Sequence, residues 1–203
     1  MGVYQKHLQP RLLNATMSSG ATHAIRRRVC AGLRGDVVEI GYGSGLNQPH
    51  LPPPVASVTA LEPSGVALRL AAGRRAASSV PVVVAGDDAQ RMPLPDDRFD
   101  AALSTWTLCG IPDPAAALRE VRRVLRPGGV LHFVEHGVAP DDVVRRWQRR
   151  GNALNKRLAG CVLDRDVAAL LAASGLELLT LRTYYEKGVP RPAGYFYEGS
   201  AAA

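Results

Sequence analysis

The chain has 203 residues, of which 46% are hydrophobic and 21% charged, so it fits one globular domain with a sizeable core. Its formal net charge of +7 leaves room for a nucleic acid, a membrane surface or an acidic ligand, but the basic residues are spread along the whole chain, which is typical of a solvated surface. Cys30, Cys109 and Cys161 are too few and too far apart for a disulfide framework, and no pair has the spacing of metal ligands. The sequence predicts neither a signal peptide nor a membrane span, so we expect a cytoplasmic protein without a metal.

The predicted elements begin with two helices, at residues 3–15 and 18–33, with Pro10 as a break or kink in the first. After them, short apolar runs alternate with helical segments. The predicted strands are residues 37–40, 58–61, 82–84, 101–106, 130–134, 176–183 and 194–197. The predicted helices among them are residues 65–77, 115–125, 141–158 and 166–174.

This order of elements predicts an α/β fold. Short strands of unbroken apolar residues that alternate with helices are typical of a parallel sheet covered on both faces. The last two strands have no helix between them, so they must pair antiparallel. We therefore predict one doubly wound, Rossmann-like domain over residues 1–203, with a mostly parallel seven-stranded sheet and an antiparallel C-terminal strand.

A glycine-rich loop follows the first strand, in residues 39–45 (EIGYGSG). Glycines at alternate positions let the backbone approach a ligand and adopt φ values that other residues avoid. The loop lies at the carboxyl end of a strand, where open α/β sheets bind ligands. The dinucleotide fingerprint needs a glycine where this chain has Leu46, and no Gly-Lys-Ser/Thr follows for a P-loop. The spacing therefore favours an uncharged nucleoside with an amino-acid tail over a pyrophosphate.

The second predicted strand ends in an acid, Glu62, followed by Pro63 and Ser64. An acid about 20 residues past such a glycine loop accepts hydrogen bonds from ribose hydroxyls. The plain alternative is a solvent-exposed glutamate at the end of a strand. Spacing and strand position both favour ribose binding.

The segment after the third strand contains Asp88 and Ala89. An acid followed by small and apolar residues at the carboxyl end of a strand suits an adenine, because the carboxylate can accept from the exocyclic amine while Met92 packs on the ring. A turn is the alternative, since consecutive aspartates favour turns without any ligand.

Four segments together resemble the class I S-adenosylmethionine-dependent methyltransferases, and the set is far more specific than any one motif. They are residues 38–45 (VEIGYGSG), 61–64 (LEPS), 96–101 (DDRFDA) and 123–129 (RVLRPGG). The similarity covers roughly residues 36–135, and the quinone-biosynthesis methyltransferases are the broad relatives. The resemblance implies S-adenosylmethionine as the cofactor. The residues expected to bind it are Glu39, Gly41, Tyr42, Gly43, Gly45, Asn47, Glu62, Pro63, Ser64, Asp88, Ala89, Thr105 and Trp106.

A narrower resemblance links the chain to small methyltransferases related to the animal alkyl-thiol methyltransferases. It is carried by residues 104–109 (STWTLC), 133–136 (FVEH), 161–165 (CVLDR) and 194–195. The chain departs from that group in two ways. Tyr42 replaces the usual small residue or cysteine of the glycine loop, and the apolar N-terminal anchor of the animal proteins is missing, so membrane attachment does not carry over.

The resemblance implies in-line methyl transfer to a small lipophilic acceptor, which is a thiol, a phenol or a quinol. The cofactor-binding core would be residues 36–136, the N-terminal helices of residues 1–34 would form part of a substrate lid, and residues 140–203 would supply a helical lid and the last two strands. Two alternatives stay open: N-methylation of an amine or a phospholipid headgroup, and an S-adenosylmethionine-binding protein without catalysis. We expect no nucleic-acid partner, because no Asn/Asp-Pro-Pro-aromatic motif for a flipped base is present.

His136, just beyond the fifth predicted strand, is the candidate catalytic base. A neutral imidazole with a free pKa of about 6.5 could deprotonate an acceptor, although a histidine that only packs beside the cofactor is an equal alternative. Glu135 could orient the imidazole or make a plain structural hydrogen bond. Thr105 and Trp106 are expected to line the cofactor pocket, although Trp106 could be core alone, and Asn47 could bind the cofactor or cap the helix after it.

The predicted helix of residues 141–158 combines many basic residues with an apolar face formed by Val143, Trp147, Leu154 and Leu158. We interpret it as an amphipathic helix that packs over the site as a lid. The alternative is a weak contact with a membrane surface or an anionic substrate. No integral membrane segment is expected, and the oligomeric state is left open.

Overall fold

The computed structural model describes residues 4–203, in which helices alternate with strands around one sheet. The α-helices in this part of the chain are α1 Gln9–Thr16, α2 Gly20–Cys30, α3 Gly65–Ala76, α4 Pro114–Val124, α5 Asp142–Leu158 and α6 Val167–Ala173. The strands are β1 Gly35–Ile40, β2 Val55–Leu61, β3 Val82–Gly86, β4 Phe99–Thr105, β5 Leu125–His136, β6 Glu177–Tyr185 and β7 Tyr195–Ala202. Every predicted strand and helix between residues 37 and 197 is matched by one of these elements.

The N-terminal helices differ from the prediction in their boundaries. Residue 3, where the first predicted helix begins, lies outside the described residues. A π-helical turn, Tyr4–Leu8, precedes α1, and Pro10 lies in the first turn of α1. Proline is favoured there because its missing N–H would have no partner in any case. Pro10 therefore begins a helix instead of breaking one.

The sheet has the strand order β3-β2-β1-β4-β5-β7-β6. The first five strands in this order are parallel, and β7 runs antiparallel to both β5 and β6. The predicted doubly wound, mostly parallel sheet with an antiparallel C-terminal strand is confirmed. Two boundaries differ from the prediction by five residues: β7 ends at Ala202, and β5 begins at Leu125 and bulges before Val130, where the register with β4 shifts.

Two large apolar clusters and a small one form the core of the described residues, as the unbroken apolar strands predict. One large cluster contains Leu118 of α4, Phe133 of β5 and Leu171 of α6. The other large cluster contains Ile25 of α2 and Leu103 of β4. Helices thus cover the sheet in two separate layers, which leaves the strand ends as the place for a ligand.

The predicted packing face of α5 is wrong. Its four apolar members are exposed: Val143, Trp147, Leu154 and Leu158. The residues of α5 that are buried are Val144 and Gln148.

The buried amide of Gln148 explains this orientation. Its Oε1 accepts from the backbone N–H of Ala139 at 3.0 Å, and its Nε2 donates to the carbonyls of Gly137, Leu163 and Pro192 at 3.0–3.1 Å. A buried amide with these partners meets its hydrogen-bonding needs, so burying it carries little penalty. One polar residue therefore fixes which face of α5 packs. Among residues 4–203, no helix is both long and apolar enough to cross a bilayer.

Candidate functional site

The carboxyl ends of β1 and β4 meet at the point where the strand order reverses. The chain proceeds from β1 to β2 and β3 on one side, and then returns to place β4 on the other side of β1. Open α/β sheets bind ligands in the crevice at such a switch point. The glycine loop follows β1 at this edge, and Thr105 ends β4 beside it.

The glycine loop is shaped by backbone conformations that favour glycine. Gly41, Gly43 and Gly45 have φ angles of 66°, 59° and 73°. A Cβ at Gly41 would lie 2.3 Å from Oγ1 of Thr107, so no larger residue fits there. A Cβ at Gly43 would meet only a carbonyl oxygen, at 3.8 Å, so Gly43 borders open space. The loop therefore packs tightly at Gly41 and offers its backbone to a ligand at Gly43.

Tyr42 lies in this loop, but its side chain turns into the core. It is buried, and its hydroxyl donates to Oε1 of Gln48 at 3.3 Å. Burial raises the pKa of the Tyr42 phenol above its ordinary value. A Cβ at Gly45 would approach the Tyr42 hydroxyl to 2.9 Å, so the aromatic ring supports the loop from beneath. Tyr42 can contact a cofactor only through its backbone.

Glu62 lies next to the glycine loop, as its position at the end of β2 predicts. Its carboxylate accepts from the backbone N–H groups of Gly43 at 2.7 Å and Ser64 at 2.8 Å. Burial raises the pKa of Glu62, and these two hydrogen bonds oppose that effect. Ser64 also caps α3 by accepting from the N–H of Ala67, and Pro63 is exposed. Each carboxylate oxygen of Glu62 keeps a lone pair for a further donor.

The segment after β3 has the geometry of a turn. Oδ1 of Asp88 accepts from the backbone N–H of Gln90 at 2.8 Å and from its Nε2 at 2.9 Å. These hydrogen bonds lower the pKa of the exposed Asp88 carboxyl. Met92 is buried in the core, and Ala89 packs partly buried beside the same cluster. Asp88 therefore forms a turn, which was the alternative to adenine binding. The hydrogen bonds of this turn use Oδ1 of Asp88 and leave Oδ2 unused.

A buried polar network joins β1, β4 and α2 beneath the loop. Nδ2 of Asn47 donates to Oε1 of Glu39 at 2.7 Å and to Oγ1 of Thr105 at 3.0 Å. Arg26 donates from Nη1 to Oδ1 of Asn47 at 2.7 Å and to Oγ1 of Thr105 at 3.0 Å. Asn47 makes no side-chain cap, so the structure assigns it to this network and not to the helix after it.

The network is incompletely satisfied. Oε2 of Glu39 and Nε of Arg26 are buried and lack hydrogen-bond partners within residues 4–203. Burial raises the pKa of Glu39 to about 8 and lowers the pKa of Arg26 to about 10. Buried polar atoms normally have partners. An acidic acceptor left open beside a glycine loop fits the ammonium group of an amino-acid tail.

Trp106 follows β4 in a strained conformation, with φ of 51°. Its Nε1 is buried without a partner in the described chain. The guanidinium carbon of Arg26 lies 4.9 Å from its ring centroid, and Phe196 packs edge-on at 5.6 Å. Trp106 thus serves the core and also places a free N–H donor near the carboxyl edge.

Glu135 and His136 end β5, but they face different surroundings. Glu135 is fully buried; its Oε1 accepts from Oγ of Ser104 at 2.6 Å and from the N–H of Thr107 at 3.0 Å. Burial raises the pKa of Glu135, and these hydrogen bonds oppose it. Over the described residues, no hydrogen bond joins Glu135 to His136. Glu135 therefore holds the segment after β4 by hydrogen bonds, which agrees with the structural alternative given for this residue in the sequence analysis.

The His136 imidazole packs edge-on against Phe196, with ring centroids 5.2 Å apart. Burial lowers the pKa of His136 to about 4, although a hydrogen bond with the Ala193 backbone acts in the other direction. Its Nδ1 is buried and has no partner in the described part of the chain. The ring is therefore neutral at pH 7 and presents a free polar atom.

Sequence reasoning missed Arg26. It lies on α2 between the apolar residues Ile25 and Val29, and all three are buried. Arg26 is the first of three consecutive arginines. Only its helical spacing from the buried Val29 and Cys30, three and four residues on, distinguishes it from the two exposed arginines that follow it. Its partners come from β4 and the glycine-loop segment, which no local pattern could reveal.

Comparisons with known proteins agree with this geometry. Residues 38–133 match the family model described as a methyltransferase domain. A solved protein from Bacillus halodurans with a provisional methyltransferase assignment superposes with a TM-score of 0.74 at 19% identity, over 90% of this chain and 99% of that one. Fold, glycine loop and matched segment together show that the chain carries a class I S-adenosylmethionine-dependent methyltransferase domain.

Two curated relatives are methyltransferases with named acceptors. Human thiol S-methyltransferase TMT1B is 35% identical over 137 residues, which are 64% of this chain and 55% of the relative. The malonyl-[acyl-carrier protein] O-methyltransferase of Pseudescherichia vulneris is 33% identical over 149 residues, which are 71% of this chain and 57% of the relative. The chain thus spans little more than half the length of these curated relatives.

Proposed function

We propose that the protein transfers a methyl group from S-adenosylmethionine to a small lipophilic acceptor, of which a thiol is the first candidate and a phenol or quinol the next. The observation that carries this proposal is the combination, at one sheet edge, of an open glycine loop, the Glu62 carboxylate and the unsatisfied Glu39 carboxyl. The similarity to a thiol S-methyltransferase supports sulfur as the acceptor atom.

The polar groups at this edge fit the parts of the cofactor. Glu62 would accept from the ribose hydroxyls, the Gly43 backbone would border the tail, and Glu39 would accept from the tail ammonium. Asp88, through its free oxygen, would face the adenine amine. When bound, S-adenosylmethionine supplies an electrophilic methyl group on a sulfonium. The protein's contribution is to orient the acceptor and exclude water, and proximity of this kind is worth about 7–11 kcal/mol.

The direct test is incubation of the chain with S-adenosylmethionine and a matched panel of an alkyl thiol, a phenol, a quinol and an amine, with methylated product measured by mass spectrometry. We expect the thiol to give most product. Product from the amine alone would favour N-methylation. Tight cofactor binding without product from any acceptor would favour a binding protein without catalysis.

The proton-acceptor role of His136 gives a sharper prediction. We expect His136→Gln to lower kcat/KM for the thiol about 100-fold while the affinity for the cofactor stays unchanged. Because the pKa of His136 is about 4, its protonation cannot shape the activity between pH 6 and 9, and any rise of activity with pH there belongs to ionisation of the acceptor thiol. The measurement is a pH profile of kcat/KM for both proteins.

His132→Gln is the matched control, because His132 lies on the same strand but packs against Gly32, in the turn after α2, where a Cβ would meet its ring. We expect that variant to keep full activity. Equal activities of the two variants would contradict a role for His136 in the reaction.

The exposed face of α5 supports a second proposal, a weak contact with an anionic membrane surface. Its apolar members, with Trp147 59% exposed, are flanked by six basic residues of the same helix. Exposed Leu8 and Leu12 lie on the N-terminal helices, which approach the end of α5 where Tyr4 and Gln9 donate to the Leu158 carbonyl. Apolar residues flanked by arginines are typical of interfacial helices.

We expect the chain to bind vesicles that contain phosphatidylserine, to bind phosphatidylcholine vesicles weakly, and to dissociate as salt is raised. Trp147→Ser should lower partitioning about tenfold, since burying a large apolar side chain contributes about 1.5–3 kcal/mol. Leu179→Ser changes an exposed residue of β6 and is the control. Cosedimentation measures both, and an equal loss in the two variants would rule out α5 as the contact.

A further inference from the structure

Three side chains from distant parts of the chain converge near the carboxyl ends of β4 and β5. Cys109 follows β4, His136 ends β5, and Cys161 lies between α5 and α6. One ligand atom from each residue, two Sγ atoms and a ring nitrogen, all lie within 4.8 Å of one another. Their separation in sequence explains why spacing alone predicts no metal.

The thiols of Cys109 and Cys161 hydrogen-bond each other, and their other contacts are weak. Both cysteines are free thiols. The Sγ atoms contact the backbone carbonyls of Trp106, at 3.4 Å, and Ala159, at 3.7 Å, and thiols are weak donors. Nδ1 of His136 is buried with no partner in the described residues. Two free thiols and an imidazole whose Nδ1 lacks a partner in the described residues therefore meet at one point.

We propose that Cys109, His136 and Cys161 bind a zinc ion. Thiolate sulfur and imidazole nitrogen are the ligands that zinc prefers, with bonds of about 2.3 Å and 2.0–2.1 Å. Tetrahedral geometry with these bonds sets the ligand atoms about 3.5–3.8 Å apart, so the cluster needs to contract by only about 1 Å. Cys161 and His136 are half-buried, which gives the ion a path from solvent.

The composition of the cluster selects among metals and against a disulfide. Calcium and magnesium require oxygen ligands, and this set supplies none. A disulfide would use the two cysteines and leave the imidazole without a function. Two thiolates neutralise the charge of one divalent ion, which favours a buried site.

Three protein ligands leave one tetrahedral position free, which is the arrangement of catalytic zinc sites. A metal-bound thiol loses its proton outright. Resting on the proposed function, the free position would take the acceptor thiol as its thiolate, with the proton released to solvent. In the zinc-bound chain His136 would hold the metal and the metal would deprotonate the thiol, so the proton-acceptor role proposed above applies to the chain without zinc.

The test measures zinc directly, with neither S-adenosylmethionine nor acceptor present, so its failure is distinguishable from failure of methyl transfer. The full chain is stripped with a chelator under a phosphine reductant and titrated with zinc against a chromophoric chelator. We expect one zinc per chain, and a loss of affinity of at least about 100-fold in Cys109→Ser and in Cys161→Ser. Cys30→Ser, a change at a buried free cysteine of α2, should keep the affinity.

Cobalt substitution gives a readout that separates ligation from folding. The wild-type chain should show thiolate-to-cobalt charge-transfer absorption, which weakens in Cys161→Ser while the circular dichroism melt is retained. Addition of an alkyl thiol should then shift the cobalt bands of the wild-type chain. Substoichiometric zinc binding, or equal zinc affinity in Cys161→Ser and Cys30→Ser, would overturn the proposal.

Discussion

Glu62→Gln is expected to weaken binding of S-adenosylhomocysteine about 10- to 100-fold. The carboxylate receives N–H groups from Gly43 and Ser64 on its two oxygens, at 2.7 and 2.8 Å. Glutamine keeps one acceptor oxygen and replaces the other by a donor, which opposes one of these N–H groups and removes an acceptor for ribose. A hydrogen bond to a charged group contributes about 1.5–3 kcal/mol, which sets the size of the effect. Isothermal titration calorimetry measures it.

Asp100→Asn is the matched control for this variant. Asp100 also accepts a backbone N–H, from Asp36 at 2.8 Å, and pairs with Arg126, but it lies near the start of β4 at the opposite edge of the sheet. We expect it to lower stability without changing the affinity for the ligand. If both variants bind the ligand as the wild-type chain does, Glu62 does not hold the ribose.

Glu39→Gln is expected to remove a pH dependence of stability. Burial raises the pKa of Glu39 to about 8, from an ordinary value of 4.5. The folded chain therefore holds a proton that the unfolded chain releases, so the free energy of unfolding falls as pH rises from about 5 to 8. The slope from this group is at most about 1.4 kcal/mol per pH unit. Glutamine carries no such proton and can still accept from Asn47, so the variant should gain stability relative to wild type as pH rises.

Urea denaturation at pH 5, 6, 7 and 8 measures the difference between the two proteins, in which the contributions of other titrating groups cancel. Glu198→Gln is the control: burial alone would raise the pKa of Glu198, but hydrogen bonds from Arg28 and Tyr184 lower it. That variant should lose a similar amount of stability at every pH in the series. A constant difference between wild type and Glu39→Gln would show that Glu39 is ionised throughout.

The fold could be predicted because its signals are local. Unbroken apolar strands, separated by helices, determine a parallel sheet, and the missing helix between β6 and β7 determines their antiparallel pairing. The glycine loop and the acid of β2 could be located by the same means, because both are placed by strand ends. The bulge of β5 before Val130 could not, since nothing in residues 126–129 distinguishes a turn from an irregular strand.

The parts that sequence could not predict depend on long-range contacts. Helical spacing shows that α5 has an apolar face, but the face that packs is the one that carries Gln148, because that amide finds buried partners on three other segments. Arg26 and Cys161 likewise contact residues that are far from them in the sequence, so no local pattern predicts these contacts. Hydrophobic periodicity therefore shows which face of a helix could be buried, but it does not show which other segments the helix contacts.

The hydrogen bonds of Gln148 also constrain motion. The carbonyls of Gly137, Leu163 and Pro192 belong to three separate segments, and one side chain of α5 holds all three. If α5 lifts, it releases three carbonyls together, and none of them can be exposed to the interior without a donor except at a cost of about 1–3 kcal/mol. We therefore expect α5 and these three segments to separate as a single cooperative unit, and not by independent fluctuations of each segment.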